Sequence, residues 1–228
     1  MRSAKSMRIL SWNIHAGIGP DRRYDLGRII DLIRTHEPDI VALQEVDSRG
    51  RRPEDSPLAA LKLGLGSHAA EARTIAAPDG HYGHLLISRW PMQQVHLHDI
   101  SVGRREPRCA IDAVIDTPEG ELRVIATHLG LGRGERRQQI DRLRPILTSL
   151  PQPTVMMGDF NDWDGTVRRR LADLLPVGTV HRTFPAWRPL LRLDRIHADR
   201  RINVLRSWVD PSARAASDHL PVIADIAA

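Results

Sequence analysis

The sequence predicts an α/β protein, and two observations carry that prediction. Short apolar runs alternate with segments of helical period along the chain, with no internal repeat and no low-complexity stretch. Five of the apolar runs also end in, or follow directly on, a small polar cluster: Ser11-Trp12-Asn13, Gln44-Glu45, Thr127-His128, Gly158-Asp159-Phe160-Asn161 and Ser217-Asp218-His219. In open α/β architectures strand ends are where ligands bind, because loops converge there without disturbing the core.

In chain order, Met7–Asn13 reads as a first strand. A helix is predicted over Asp25–Thr35, where Leu26, Ile29, Ile30 and Ile33 recur at helical spacing before Pro38. Ile40–Glu45 is a continuous apolar run, the pattern of a strand covered on both faces. Arg49–Pro57 is charged and reads as a loop, followed by a short helix at Leu58–Leu63. Ala69–Ile75, His84–Ser88, Gln93–Ile100 and Cys109–Asp116 have strand character. Thr117-Pro118-Glu119-Gly120 is a turn leading into Leu122–Leu129. Glu135–Leu150 is the clearest helix, with Ile140, Leu143, Ile146 and Leu147 on one face. A short helix at Val167–Leu175, a loop over Pro176–Pro189 and strands at Leu193–His197, Ile202–Trp208 and Val222–Ile226 complete the pattern. No linker divides it, so residues 1–228 are expected to form one domain.

The 228 residues are 41% hydrophobic and 27% charged, ordinary for a globular protein. Aromatic residues make up only 4%, which leaves the core to Leu, Ile, Val and Ala. A net charge of +5 favours polyanionic partners such as nucleic acid or anionic headgroups, and equally fits an arginine-rich solvated surface. Cys109 is the single cysteine, so an internal disulfide and an all-cysteine metal site are excluded; it reads as a small core residue. No stretch resembles a signal peptide or a membrane span, and a cytoplasmic monomer is the expectation.

Each polar cluster alone is ordinary, since an aspartate after a strand often caps a helix or forms a turn, as expected for Asp162 and Asp164. Together they form a coherent chemical set. Oxygen ligands such as Glu45 and Asp218, with an amide from Asn13, suit Mg²⁺ or Mn²⁺ rather than zinc. His128 and His219 can donate to a phosphoryl group, and Asp159 can take a proton from attacking water.

These residues carry a resemblance. The run Ser11-Trp12-Asn13-Ile14, then Pro38 to Glu45, Leu86 to Pro91, Thr127-His128-Leu129, Gly158 to Asn161, Leu193-Asp194-Arg195-Ile196 and Ser217 to Val222, is similar in content and order to the endonuclease/exonuclease/phosphatase superfamily. That resemblance implies the fold of pancreatic deoxyribonuclease: a four-layer α/β/β/α sandwich, two mixed sheets face to face with helices outside. It also implies metal-dependent phosphoester cleavage by in-line attack of water. By position, Glu45 matches the principal metal-binding glutamate, and Asn13 and Asp218 match groups lining the same metal region. Asp159 matches the residue that orients or deprotonates water, and Asn161 the amide on the phosphate. His219 matches the histidine on the scissile phosphate and Asp194 the carboxylate that orients it. His128 matches a second histidine of deoxyribonuclease-like and sphingomyelinase-like members.

Two departures stand out. His15 occupies a position where abasic-site endonucleases carry aspartate. Gly80-His81-Tyr82-Gly83-His84 lacks the glutamate that supports a catalytic histidine in pancreatic deoxyribonuclease, which leaves His81 or His84 as a phosphate contact. Arg108 is a candidate for bidentate phosphate binding, against a surface ion pair with Glu106. Arg133, Arg136 and Arg137, just after His128, are candidates to extend the anionic site, against an exposed helix start, which is the favoured expectation. Trp163 is a candidate substrate platform, and Trp187 is expected to cap the core. The fold hosts several substrate classes. The first expectation is a Mg²⁺- or Mn²⁺-dependent phosphodiesterase acting on a small or lipid-linked phosphoester. A DNA or RNA nuclease is the alternative, and a non-catalytic phosphate-binding module the third.

Overall fold

The computed structural model describes residues 6–52, 55–149 and 151–228. Twelve strands in the described residues assemble into two sheets of six. In the first sheet β11 (Asn203–Val209), β12 (Val222–Ala227), β1 (Met7–Asn13), β2 (Ile40–Asp47), β4 (Gly80–Ser88) and β3 (His68–Ala77) lie in that order. In the second the order is β5 (Met92–Asp99), β6 (Cys109–Thr117), β7 (Gly120–His128), β8 (Thr154–Asp159), β10 (Asp194–Ala198) and β9 (Val177–Gly178). Both sheets are mixed: β1 pairs parallel to β2 and antiparallel to β12, while β8 pairs parallel to β7 and antiparallel to β10.

Three apolar seams between four layers account for the sandwich. Alternate residues of both sheets, among them Ile9, Ile40, Leu86, Ile111, Val124, Met157, Ile196 and Ala224, meet in the seam between the sheets. The intervening residues of the first sheet (Leu10, Trp12, Val41, Leu43, Ile87, Ile223) turn outward. They pack on Ile29 and Ile33 of α1 (Leu26–Thr35) and Leu61 of α2 (Pro57–Leu65). Those of the second sheet (Ala110, Ile125, Met156) meet Ile140 and Leu143 of α3 (Arg133–Leu147) and Val167 and Leu171 of α4 (Thr166–Leu171). Central strands covered on both faces are apolar at most positions, which is why their runs are nearly continuous in the sequence. Asp25 starts α1 by accepting the Arg28 N–H at 3.1 Å, a cap worth about 1 kcal/mol. No helix among the described residues is long and apolar enough to cross a membrane.

Most strands and helices differ from the expected limits by one or two residues, and β4, α4 and β9 differ by more. β3 starts at His68, and β4 begins at Gly80 rather than His84, because the two form a hairpin whose pairing continues through its polar half past a register shift between Arg73 and Ile75. α4 stops at Leu171, after which Leu174 and Leu175 close a turn on the Leu171 carbonyl. The expected loop over Pro176–Pro189 contains β9, two residues paired with His197 and Ala198 and too short to leave a periodic signal. The expected end of α3, Leu150, lies outside the described residues.

Candidate active site

Three candidate groups stand side by side in the second sheet. The register sets His128 of β7 opposite Asp159 of β8, and Asp159 opposite Asp194 of β10. β8 reaches this position because Gly158, at φ +153, allows close approach: a Cβ there would lie 1.9 Å from the Thr127 carbonyl oxygen. Beyond Asp159 the chain turns back. The Asn161 N–H donates to Asp159 Oδ1 at 2.9 Å, and Asn161 Nδ2 donates to the Leu129 carbonyl at 2.9 Å and lies 3.3 Å from His128 Nε2. Asp162 accepts the Val167 and Arg168 N–H groups, capping α4 as the sequence suggests.

The first sheet brings Glu45 through a β-bulge. Leu43 and Val46 both face the outer helices, though an odd spacing would set them on opposite faces of a regular strand. The extra residue is taken up between them, with Glu45 at φ +57, a conformation that costs on the order of 1–3 kcal/mol and concentrates at functional sites. Asn13 Nδ2 donates to Glu45 Oε1 at 2.8 Å and to Asp159 Oδ2 at 3.1 Å. One amide therefore joins carboxylates from the two sheets. Its Oδ1 is engaged by the His15 N–H at 3.1 Å, so the group turned toward the carboxylates is the amino group.

His219 sits in the loop before β12, fixed from β1. Trp12 Nε1 donates to the His219 carbonyl at 2.9 Å, and the Ser217 hydroxyl donates to the Asn13 carbonyl at 2.7 Å. The imidazole lies against the Phe184 ring, centroids 4.8 Å apart, with Nδ1 at 2.8 Å from Asp194 Oδ2 and Nε2 at 3.9 Å from Asp159 Oδ2.

Burial and opposed charge set the protonation states. Burial and the facing Asp194 charge raise Asp159 to about 6. Burial alone would lower His219, but the Asp194 and Asp159 charges and the Asp194 hydrogen bond raise it to about 10. His128 goes the other way: burial and the Arg108 guanidinium hold it well below the ordinary histidine value, so it is neutral. Arg108 Nη1 is 3.3 Å from His128 Nδ1, and His128 Nε2 lies 3.5 Å from Asp159 Oδ2 as well as beside Asn161 Nδ2. The same Nη1 donates to Glu106 at 2.7 Å, while the buried Arg108 Nε has no partner among the described residues.

Asp159, Asp194, His219, His128, Asn161, Asn13, Glu45 and Arg108 thus form one bonded cluster. His84 lies behind it, buried beside Arg108, lowered to about 4 by burial and by that charge, with Nε2 unpartnered among the described residues. Asp218 is apart from the hydrogen-bonded group: its half-exposed carboxylate is 3.9 Å from His15. Trp163 stands at the surface with the Arg136 guanidinium 5.6 Å from its ring centroid.

Two expectations need correction. Arg136 is fully buried rather than exposed: it donates to the Leu131 carbonyl at 2.5 Å and pairs with Asp164 at 3.1 Å, tying the loop after β7 to the loop after β8. Trp187 caps no core, being 72% exposed. One neighbour of the cluster was missed. Tyr82 is largely buried, close to Arg108 and to the Glu45 and Glu106 charges, and burial pushes its pKa up. Its period-two spacing from His84, once the strand is extended to Gly80, is the signal that could have found it.

Side-chain atoms of Asp159, Asp194 and His219 come within 4.8 Å of one another, close enough to hold a divalent cation. His219, raised to about 10, acts as a donor rather than a ligand, and both Asp159 oxygens already accept hydrogen bonds from Asn161 and Asn13. The least engaged oxygens are those of Glu45 and Asp194 Oδ1, which has no partner among the described residues. Among the described residues Glu45 accepts one hydrogen bond, from Asn13, which leaves lone pairs for a hard cation.

Comparison with known proteins agrees with this geometry. The model of the Endonuclease/Exonuclease/phosphatase family matches residues 10–219. The uncharacterized protein YbhP of Escherichia coli strain K12 is 34% identical over 248 residues, covering 97% of this chain and 96% of its own. An endonuclease/exonuclease/phosphatase from Beutenbergia cavernae superposes with a TM-score of 0.78 at 23% identity, over 98% of this chain and 72% of that one. D. rerio TDP2, solved with a single-strand DNA product, superposes with a TM-score of 0.74 at 16% identity, over 98% and 99%.

Proposed function

The chain belongs to the endonuclease/exonuclease/phosphatase family of phosphoester hydrolases, and from that premise we propose that it cleaves a small or lipid-linked phosphodiester by in-line attack of water. The lateral register of His128, Asp159 and Asp194, with His219 bonded to the last, carries the reading. Asp159 is the base. With its pKa near 6 it is ionised at neutral pH yet basic enough to accept a proton from water. His219, cationic and oriented by Asp194, donates from Nε2 to a phosphoryl oxygen and stabilises the charge that develops there. Asn161 and neutral His128 supply further donors. Arg108, whose buried Nε has no partner among the described residues, grips a second phosphate oxygen; His84 backs Arg108 from behind the cluster, and Trp163 borders the substrate at the surface.

Mg²⁺ or Mn²⁺ suits the oxygen donors. Glu45 would hold it, with Asp218 at the open side and Asn13 keeping Glu45 and Asp159 in place. Bound there, the ion neutralises phosphate oxygens and the leaving oxygen. The test is Asp159→Asn: Mn²⁺ binding should persist while hydrolysis of bis-p-nitrophenyl phosphate falls by about 10²-fold or more. Unchanged turnover would remove Asp159 from the role of base.

A nuclease is the second reading, favoured by the net charge of +5 and by the D. rerio TDP2 structure with its single-strand DNA product. Salt separates the two. Binding that tracks a nucleic-acid backbone weakens steeply with ionic strength, whereas a one-phosphate substrate responds weakly.

A further inference from the structure

The loops framing the site carry side chains that the hydrolytic chemistry does not use. Leu131 is 70% exposed and Trp163 60%, on the loops that follow His128 and Asp159; Trp187 is 72% exposed and Leu190 54%, on the connection from Thr179 to Leu193 that leads into Asp194. The two groups flank the cluster and both are anchored. On one side Arg136 binds the Leu131 carbonyl and lies over the Trp163 ring. On the other, Phe184 packs on His219, the Ala186 N–H donates to the Asp218 carbonyl at 2.6 Å, and the Leu190 N–H donates to the Phe184 carbonyl at 2.8 Å. These apolar tips are fixed around the opening of the site.

Charge accompanies them. The Thr179–Leu193 connection contains Arg182, Arg188 and Arg192 and no acidic residue. Arg133, two residues after Leu131, and Arg105 are both exposed and pair with Asp164 and Glu135 at 3.6 and 3.5 Å. Apolar tips mixed with arginines and raised around a site are the composition of a surface that rests on lipid. Leucine and tryptophan enter the boundary between headgroups and acyl chains, and each arginine adds about fivefold to attraction by anionic lipid. Nucleic acid fits less well, because Leu131 and Leu190 offer no ring on which a base can stack.

We infer that this rim docks on a bilayer surface containing anionic lipid, with the site facing the headgroups. The inference deepens the lipid-linked reading above and rests on it. The test is flotation with vesicles of phosphatidylcholine alone and of phosphatidylcholine with phosphatidylglycerol, in EDTA so that turnover plays no part. The wild-type chain should float with the anionic vesicles and less with the neutral ones. Trp187→Ser combined with Leu190→Ser should reduce that partition about tenfold, while hydrolysis of soluble bis-p-nitrophenyl phosphate in Mg²⁺ stays within about twofold. Absence of flotation, or flotation unchanged in the double variant, overturns the inference even if the soluble diester is cleaved. Binding of a short single-stranded oligonucleotide that the double variant loses, without vesicle binding, overturns it in favour of nucleic acid. Flotation lost in the double variant, with no cleavage of any diester, upholds the docking surface and removes the hydrolase reading.

Discussion

His219 Nδ1 lies 2.8 Å from Asp194 Oδ2, and both side chains are buried, so the imidazole is held with Nε2 toward Asp159. Asp194 comes from the second sheet and His219 from the loop before the last strand of the first. Replacing Asp194 with Asn keeps the shape but removes the charge that fixes the ring and keeps it cationic. We expect kcat to fall by about 10²–10⁴-fold with little change in KM. The alkaline limb of the pH–rate profile should also move toward neutrality, since the Asp194 charge is the main force raising His219. Steady-state kinetics from pH 5 to 10 measure both, and an unmoved limb would count against the pairing.

Glu45→Gln keeps an acceptor at the bulge and removes its charge. The expected outcome is a Mg²⁺ or Mn²⁺ requirement raised by about tenfold or more, with activity partly recovered at high metal. Titrating activity against metal in wild type and variant decides it; superimposable curves would exclude Glu45 as the ligand.

Gly158→Ala should damage folding. The added methyl would lie 1.9 Å from the Thr127 carbonyl oxygen, and both partners are main chain in central strands, so neither can yield cheaply. A loss of about 3 kcal/mol or more is expected, read as a lower urea midpoint with unchanged slope.

Stability should fall on mild acidification of metal-free protein. Burial, with help from nearby arginines, lowers His84 to about 4 and His197 to about 3, and lowers His128 as well. Below about pH 6.5 the unfolded chain protonates these rings while the folded chain does not. Stability present above pH 6.5 is therefore lost as pH falls, at about 1.4 kcal/mol per pH unit per histidine. Asp159, raised to about 6, acts in the opposite sense between pH 6 and 4 and cancels about one of them. His219 adds no slope below pH 6.5, where it is protonated whether folded or not and its stabilisation is constant; that stabilisation is lost only as pH rises from about 6.5 to 10. His197 touches the ring of Phe160 but makes no hydrogen bond to the polar cluster, so His197→Phe should flatten the dependence between pH 6 and 4 by about one proton. Chemical denaturation at three pH values measures it.

The α/β class was legible because fully covered strands need unbroken apolar runs, and β2 and β8 show them without ambiguity. The polar groups at strand ends were legible for the same reason, each standing where an apolar run stops or begins. Two kinds of information were missing. Lateral register across a sheet leaves no trace in a single chain, so nothing announced that Asp194 lies opposite Asp159. Partners remote in sequence decide exposure: Arg136 resembled any helix-start arginine until Asp164 and the Leu131 carbonyl enclosed it. Tyr82 was hidden because the polar start of β4 shows no alternation of apolar and polar residues.

The seam between the sheets runs directly under the chemistry. Asn13, Glu45 and His219 arrive on one leaf, His128, Asp159 and Asp194 on the other, and the bonds from Asn13 to Asp159 and from His219 to Asp194 cross the gap. Turnover is thus a gauge of alignment between the leaves. A methyl group lost from Met157 or Ile111 would let them creep past each other, dulling the enzyme well before the polypeptide comes apart.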